Sequence, residues 1–283
     1  MGRNHWLDFL KLTFILVIAF LHTAWWTSMK YGFLPVEFFF IVSGFYVYVS
    51  YAFKRYKFGK FIIKKIMRVF PAYLLILLIY AGYSLAFPQF YSESSYDHWG
   101  LSFIRELFML QGVGLTELFH VRCMVILQSA WYVSVYFYGA ILLYWLLVNV
   151  TRKVAICIFS VIVIGVYGFF FLLWGSTLEI WTYKGFFYMP LWRGLAGMSA
   201  GILLGMALRR ENVAGWLATH KFFFNILSIV ALAGAFYSFF SPTDIEWVGI
   251  ICFICILANA VSPDGIGSYF NKWGGEKICK MHS

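Results

Sequence analysis

The sequence predicts an all-α protein that crosses a membrane about eight times, with both chain ends in the cytoplasm. Three observations predict it. Hydrophobic residues fill 62% of the 283 positions and charged residues only 12%, which excludes an ordinary soluble domain. Apolar runs of about 20 residues recur along the chain, the length a helix needs to cross the hydrocarbon core. In that core only helices and closed barrels satisfy their backbone groups, and runs this continuous mean helices. Finally, the basic residues are unevenly placed. With spans near 7–27, 33–53, 69–88, 129–150, 154–174, 188–208, 222–241 and 247–262, one side carries 17 of the 22 Lys and Arg. That side is the cytoplasm by the positive-inside rule. The net charge of +10 is thereby explained as topology, with membrane lipid as the surrounding partner and nucleic acid excluded.

The first two spans form a helical hairpin, LDFLKLTFILVIAFLHTAWW followed by FLPVEFFFIVSGFYVYVSY. The first is no cleavable signal peptide: its run is too long, it carries Lys11, and no small-residue cleavage site follows. Four ionisable residues interrupt these arms, Asp8 and Lys11 near one end and His22 and Glu37 near the other. Such groups are expensive in a span and mark functional sites by default; the alternative is a polar pair that only locks two helices together. The turn centres near Met29 and Lys30, so an antiparallel hairpin places His22 and Glu37 at similar depth. If they face each other, Glu37 selects one tautomer of the imidazole and raises its basicity, while desolvation lowers it. No other histidine falls within an expected span, and Glu37 is the only acid well inside one.

A basic segment follows, KRYKFGKFIIKKIMRVFP, residues 54 to 71. Lys64, Lys65 and Arg68, at i, i+1 and i+4, are read as one helical face next to the membrane near the inner end of span one, and such a cluster can hold phosphates or anionic headgroups. Pro71 is expected to start the third span. Residues 89 to 128 make the largest outer segment, in which apolar residues at 101, 104, 107 and 108 suggest an amphipathic helix at the interface. Trp99, Trp131, Tyr132, Trp181 and Tyr183 gather at the expected outer face, either as an ordinary aromatic belt or as a platform for a sugar. In the sixth span Gly194, Gly197, Gly201 and Gly205 recur three to four apart, which allows close helix packing. Arg193 sits in the outer half of that span, available to Glu37, to an anionic acceptor or to a structural partner. The five cysteines show no pairing pattern, and Cys252 and Cys255 read as packing residues. No metal-ligand cluster, P-loop or GxGxxG is present. Without internal repeats or linkers, residues 1–283 are read as one integral-membrane domain.

The run LDFLKLTFILVIAFLH resembles the opening of the acyltransferase 3 family of membrane acyltransferases. In that family an Arg, or less often a Lys, precedes a His by ten intervening residues, matched here by Lys11 and His22. The family continues with a Gly, a Val, two Phe and Ser-Gly-Phe, matched by Gly32, Val36, Phe38, Phe39, Ser43, Gly44 and Phe45, with Glu37 where Asp is usual. A basic step before a Pro is matched by Lys65, Arg68 and Pro71. SAWYVSVYFY resembles the family's Trp-containing entry to the next helix, but Tyr136 stands where a Glu often follows. The family usually has ten core spans, so this sequence is expected to lack the last two.

The resemblance implies transfer of a short acyl group, usually acetyl, from cytoplasmic acyl-CoA to a hydroxyl of a cell-surface or exported glycan such as lipopolysaccharide or capsule, at a bacterial inner membrane. Acyl-CoA is then a donor substrate, and no cofactor is tightly bound. Lys11, Lys65 and Arg68 would hold the CoA phosphates, and His22, with Glu37, would serve as general base or transient acyl carrier. Ser43, Trp131, Tyr132 and Arg193 would contact the acceptor. Two readings of other classes stay open: a proton-coupled secondary transporter using His22 and Glu37 as a relay, and an inactive, truncated membrane scaffold.

Overall fold

The computed structural model describes residues 4–21, 31–87, 99–114, 126–127, 130–173, 183–184, 187–241 and 245–270. The helices are α1 (His5–Leu21), α2 (Pro35–Val49), α3 (Phe58–Ala86), α4 (Trp99–Leu107), α5 (Trp131–Asn149), α6 (Arg152–Leu173), α7 (Met189–Leu208), α8 (Glu211–Thr219), α9 (Lys221–Phe240) and α10 (Glu246–Val261). A π-helical turn, Ser50–Lys54, extends α2. Among the described residues, a two-residue antiparallel ribbon pairs β1 (Tyr183–Lys184) with β2 (Phe187–Tyr188). The protein is all-α and polytopic. Among the described residues six helices are long and apolar enough to cross a membrane, those of α2 with its extension and of α3, α5, α6, α7 and α9. The apolar helices α1 and α10, described over 17 and 16 residues, occupy the first and last expected spans.

Two compact units make up the chain, one of Met1–Tyr48, Ile156–Leu178 and Ala196–Ser283, the other of Val49–Ala155 and Glu179–Leu195. In the first, Phe14 of α1 is fully buried and meets Phe38, Phe253 and Phe239 at ring-centroid distances of 4.7, 5.3 and 6.2 Å. One aromatic side chain therefore ties α1 to α2, α9 and α10. Asn4 caps α1 by accepting the Leu7 N–H (3.0 Å), and its amide donates to the Ala260 carbonyl (2.6 Å), fixing the start of α1 to the end of α10. Asn259 donates to Asn225 (2.7 Å) and accepts the Ile266 N–H (2.9 Å), which satisfies a buried amide and holds the turn after α10.

Three of the glycines expected in the sixth span, Gly197, Gly201 and Gly205, are where α2 and α7 meet. A Cβ at Gly201 would overlap the Ile41 carbonyl oxygen, and one at Gly44 would overlap that of Met198. Backbone approaches backbone there, as small residues permit in spans.

In the second unit α3, α4 and α5 enclose a core of Tyr73, Leu77, Ala81, Met109 and Ala130, with Ile126 and Leu127 from the following segment. The third span differs from expectation. Helix α3 begins at Phe58 and runs for 29 residues with Pro71 inside it, so the basic segment from residue 58 onward and the span are one helix. Proline removes one backbone bond, a defect that spans tolerate, and burial of Tyr73, Leu77 and Ala81 beyond it keeps the helix docked.

Candidate functional site

The site begins with the local chemistry of α2. Residues 31–34 form a turn, and Pro35 enters as the first helical residue, where its fixed φ suits the helix and its missing N–H is not needed. Glu37 falls in the first turn, where the exposed amide dipoles favour negative charge. Its side chain is fully buried. The hydroxyl of Tyr167, on α6, donates to Glu37 Oε2 at 2.7 Å. From α7, Gly197 closes over the pair: a Cβ there would lie 3.1 Å from Glu37 Oε2, 3.3 Å from the Tyr167 oxygen and 2.8 Å from Phe40 Cβ. Three helices thus fix one carboxyl group.

His22 lies outside the described residues, as do Trp181 and the side chain of Tyr183. The hairpin that carries His22 is antiparallel, since Phe14 packs on Phe38 while the Lys11 ammonium lies 5.4 Å from the Tyr46 ring centroid. Nine residues of helix separate Glu37 from Tyr46, a rise of about 13 Å. Lys11 and Glu37 therefore mark opposite ends of the hairpin. Lys11 also meets the Asp8 carboxylate at 3.4 Å, a half-exposed pair of small energetic weight.

The basic face expected on α3 divides. Lys65 is buried, with its ammonium 3.5 Å from the Tyr136 ring centroid and 5.8 Å from that of Phe61. Lys64 points out, bonded to the Tyr56 hydroxyl at 2.8 Å, and that bond lowers the Tyr56 phenol below its usual range. Adjacent helical residues are turned about 100° apart, so the two lysines serve different surroundings. Arg68 is exposed. Lys65 and Arg68 belong to the second unit and Lys11 to the first. An apolar groove of about 470 Å³ in the second unit, bordered by Phe58, Tyr138, Trp145 and Leu191, has no charged lining and is no phosphate site.

The expected acceptor contacts also separate. Ser43 donates to the Phe39 carbonyl of its own helix at 2.6 Å. Trp131 and Arg193 are buried together, the guanidinium carbon 5.6 Å from the Trp131 ring centroid. Tyr132, the next residue on α5, is 41% exposed and faces elsewhere. Among the described residues no three His, Cys, Asp or Glu side chains come together as a metal site.

The family model of the acyltransferase domain Acyl_transf_3 matches residues 4–262, which takes in the hairpin, the basic helix and the helices that hold Glu37. The chain belongs to the acyltransferase 3 family. No curated protein and no solved structure gave a significant match. Its chemistry is acyl transfer, carried out by a membrane protein.

Two side chains of this acyltransferase escape a sequence reading. Tyr167 is one tyrosine in an apolar span and carries no signal of its partner 130 positions earlier. Glu106, fully buried on α4, accepts the backbone N–H groups of Ile126 (2.7 Å) and Leu127 (2.8 Å) and pairs with Arg105 at 3.1 Å. Burial pushes its carboxyl up, against the downward pull of those amides and of Arg105. The signal available for Glu106 was the polar triplet Ser102, Arg105 and Glu106 on one side of α4, all buried, while Leu101, Ile104 and Phe108 are exposed. The helix is amphipathic as expected, and its polar side is the one packed inward.

Proposed function

We propose that this acyltransferase moves an acetyl or similar short acyl group from cytoplasmic acyl-CoA to a hydroxyl of a cell-surface or exported glycan at a bacterial inner membrane, with both chain ends cytoplasmic. Family membership supports acyl transfer. The observation that carries the residue assignment is a fully buried Glu37, held by Tyr167 and Gly197 in the hairpin that bears His22. Lys11 and Arg68 each carry an accessible charge that suits a CoA phosphate, whereas the Lys65 ammonium is buried against Tyr136. From Lys11 the described helix runs ten residues on to Leu21, a rise of about 15 Å, a span for the thin pantetheine arm.

In the direct route His22 takes the proton of the acceptor hydroxyl. The acceptor oxygen bonds to the thioester carbonyl carbon, the carbon–sulfur bond breaks, and the proton passes to the CoA thiolate. In the alternative route the imidazole nitrogen bonds to the thioester carbon, the carbon–sulfur bond breaks and CoA leaves as the thiol with the imidazole proton; the acceptor oxygen then bonds to the acyl carbon, the carbon–nitrogen bond breaks and the freed imidazole takes the hydroxyl proton. Glu37 orients the ring and balances its positive charge in either route.

The test supplies membranes containing the protein with labelled acetyl-CoA and crude cell-surface glycan, and follows label into the glycan. Label should enter with the wild type and fail to enter with His22→Ala at equal protein in the membrane. Wild-type transfer by His22→Ala would remove the histidine from the mechanism.

A further inference from the structure

We propose that Tyr167 is a positioning residue for acyl transfer, acting through Glu37; this rests on the reading just given. A glutamate has three side-chain torsions, and a carboxyl in an apolar span gains nothing from water to hold it. The phenol of Tyr167 reaches it from a different helix with a rigid ring and two torsions. That ring is itself 8% exposed, so its own packing sets where the hydroxyl stands. The 2.7 Å bond holds Oε2, and the absent side chain at Gly197 leaves room for the carboxyl, since a Cβ there would lie 3.1 Å from Oε2. Glu37 is thus presented from a carboxyl held by α6 and α7, while its backbone belongs to the hairpin that carries His22. A misplacement of about 1 Å in such a group costs on the order of 100-fold in rate.

A merely structural bond between α2 and α6 would weaken the fold and leave the chemistry to whatever protein remained. The two roles separate in a double-mutant cycle. Tyr167→Phe deletes one oxygen and keeps the ring. With the protein quantified in the membrane, Tyr167→Phe should lower kcat about 10- to 100-fold while the KM for acetyl-CoA stays within about twofold. In a Glu37→Gln background the same change should lower kcat by less than about threefold, because the group it positions is already altered. Unchanged kcat in Tyr167→Phe, or an equal loss in both backgrounds, overturns the inference while acyl transfer by the wild type stands. Absence of His22-dependent transfer by the wild type overturns the acyl-transfer reading and the inference with it.

Discussion

The Lys65 ammonium sits 3.5 Å from the centroid of the Tyr136 ring. A lysine only 8% exposed has lost most of its water, and the negative π face returns part of that loss. A desolvated cation–π contact is worth about 2 kcal/mol. Tyr136→Phe retains the face and should hold thermal stability within about 0.5 kcal/mol. Tyr136→Leu removes the face and should lower stability by about 2 kcal/mol. Unfolding in detergent, followed by tryptophan fluorescence, checks the pair of variants. Equal midpoints for Phe and Leu would show that the ring serves only as filler.

The α2–α7 crossing makes a second prediction from geometry alone. At Gly201 a Cβ meets the Ile41 carbonyl oxygen, and no flexible side chain can move aside. Gly201→Ala should therefore cost about 3 kcal/mol through forced separation of the helices. Gly82 is also helical, with open space where its Cβ would stand. Gly82→Ala should gain about 0.5–1 kcal/mol from lower backbone entropy in the unfolded chain. The yield of folded protein extracted from membranes and its thermal midpoint should move in opposite directions for the two variants.

Much of this arrangement was legible because membranes make certain errors expensive. Glu37 stood out since an acid in a span is rare without a task, and it is fully buried. The glycine repeat of α7 was legible because spans use small residues to approach closely, and Gly197, Gly201 and Gly205 all face α2. Pro71 misled because the breaker rule belongs to helices in water, where a freed carbonyl has a competing solvent. The split between Lys64 and Lys65 was legible in principle, since adjacent positions on a helix cannot share a face. Tyr167 was not legible at all: its role depends on how α6 rotates against α2, and an apolar run encodes no rotation.

For the donor, Lys11→Ala and Arg68→Ala should each raise the KM for acetyl-CoA, by about tenfold for one lost phosphate contact, with little change in kcat. Both side chains keep contact with solvent, so added salt should weaken the wild-type KM in the same direction. Steady-state transfer assays at two ionic strengths separate this from a loss of folded protein, which would lower the apparent kcat instead. An unchanged KM in either variant removes that residue from the phosphate site.

Glu106 gives the pH dependence. Its carboxyl holds the segment at Ile126 and Leu127 to α4, and burial raises its folded pKa above the ordinary value of about 4.5. Below about pH 4.5 the folded and unfolded chains both hold the proton, and Glu106 adds no slope. Above it the unfolded chain releases the proton first, so the folded state binds more protons and stability falls as pH rises through the raised folded value. Past that value the penalty is constant. Glu106→Gln should abolish this slope. It should also lower stability by about 1–2 kcal/mol, because one of the two backbone donors loses its acceptor. Thermal midpoints of wild type and Glu106→Gln measured from pH 4 upward check both parts. Parallel curves would mean that the carboxyl titrates alike in the folded and unfolded chains, and that its buried contacts do not govern its proton.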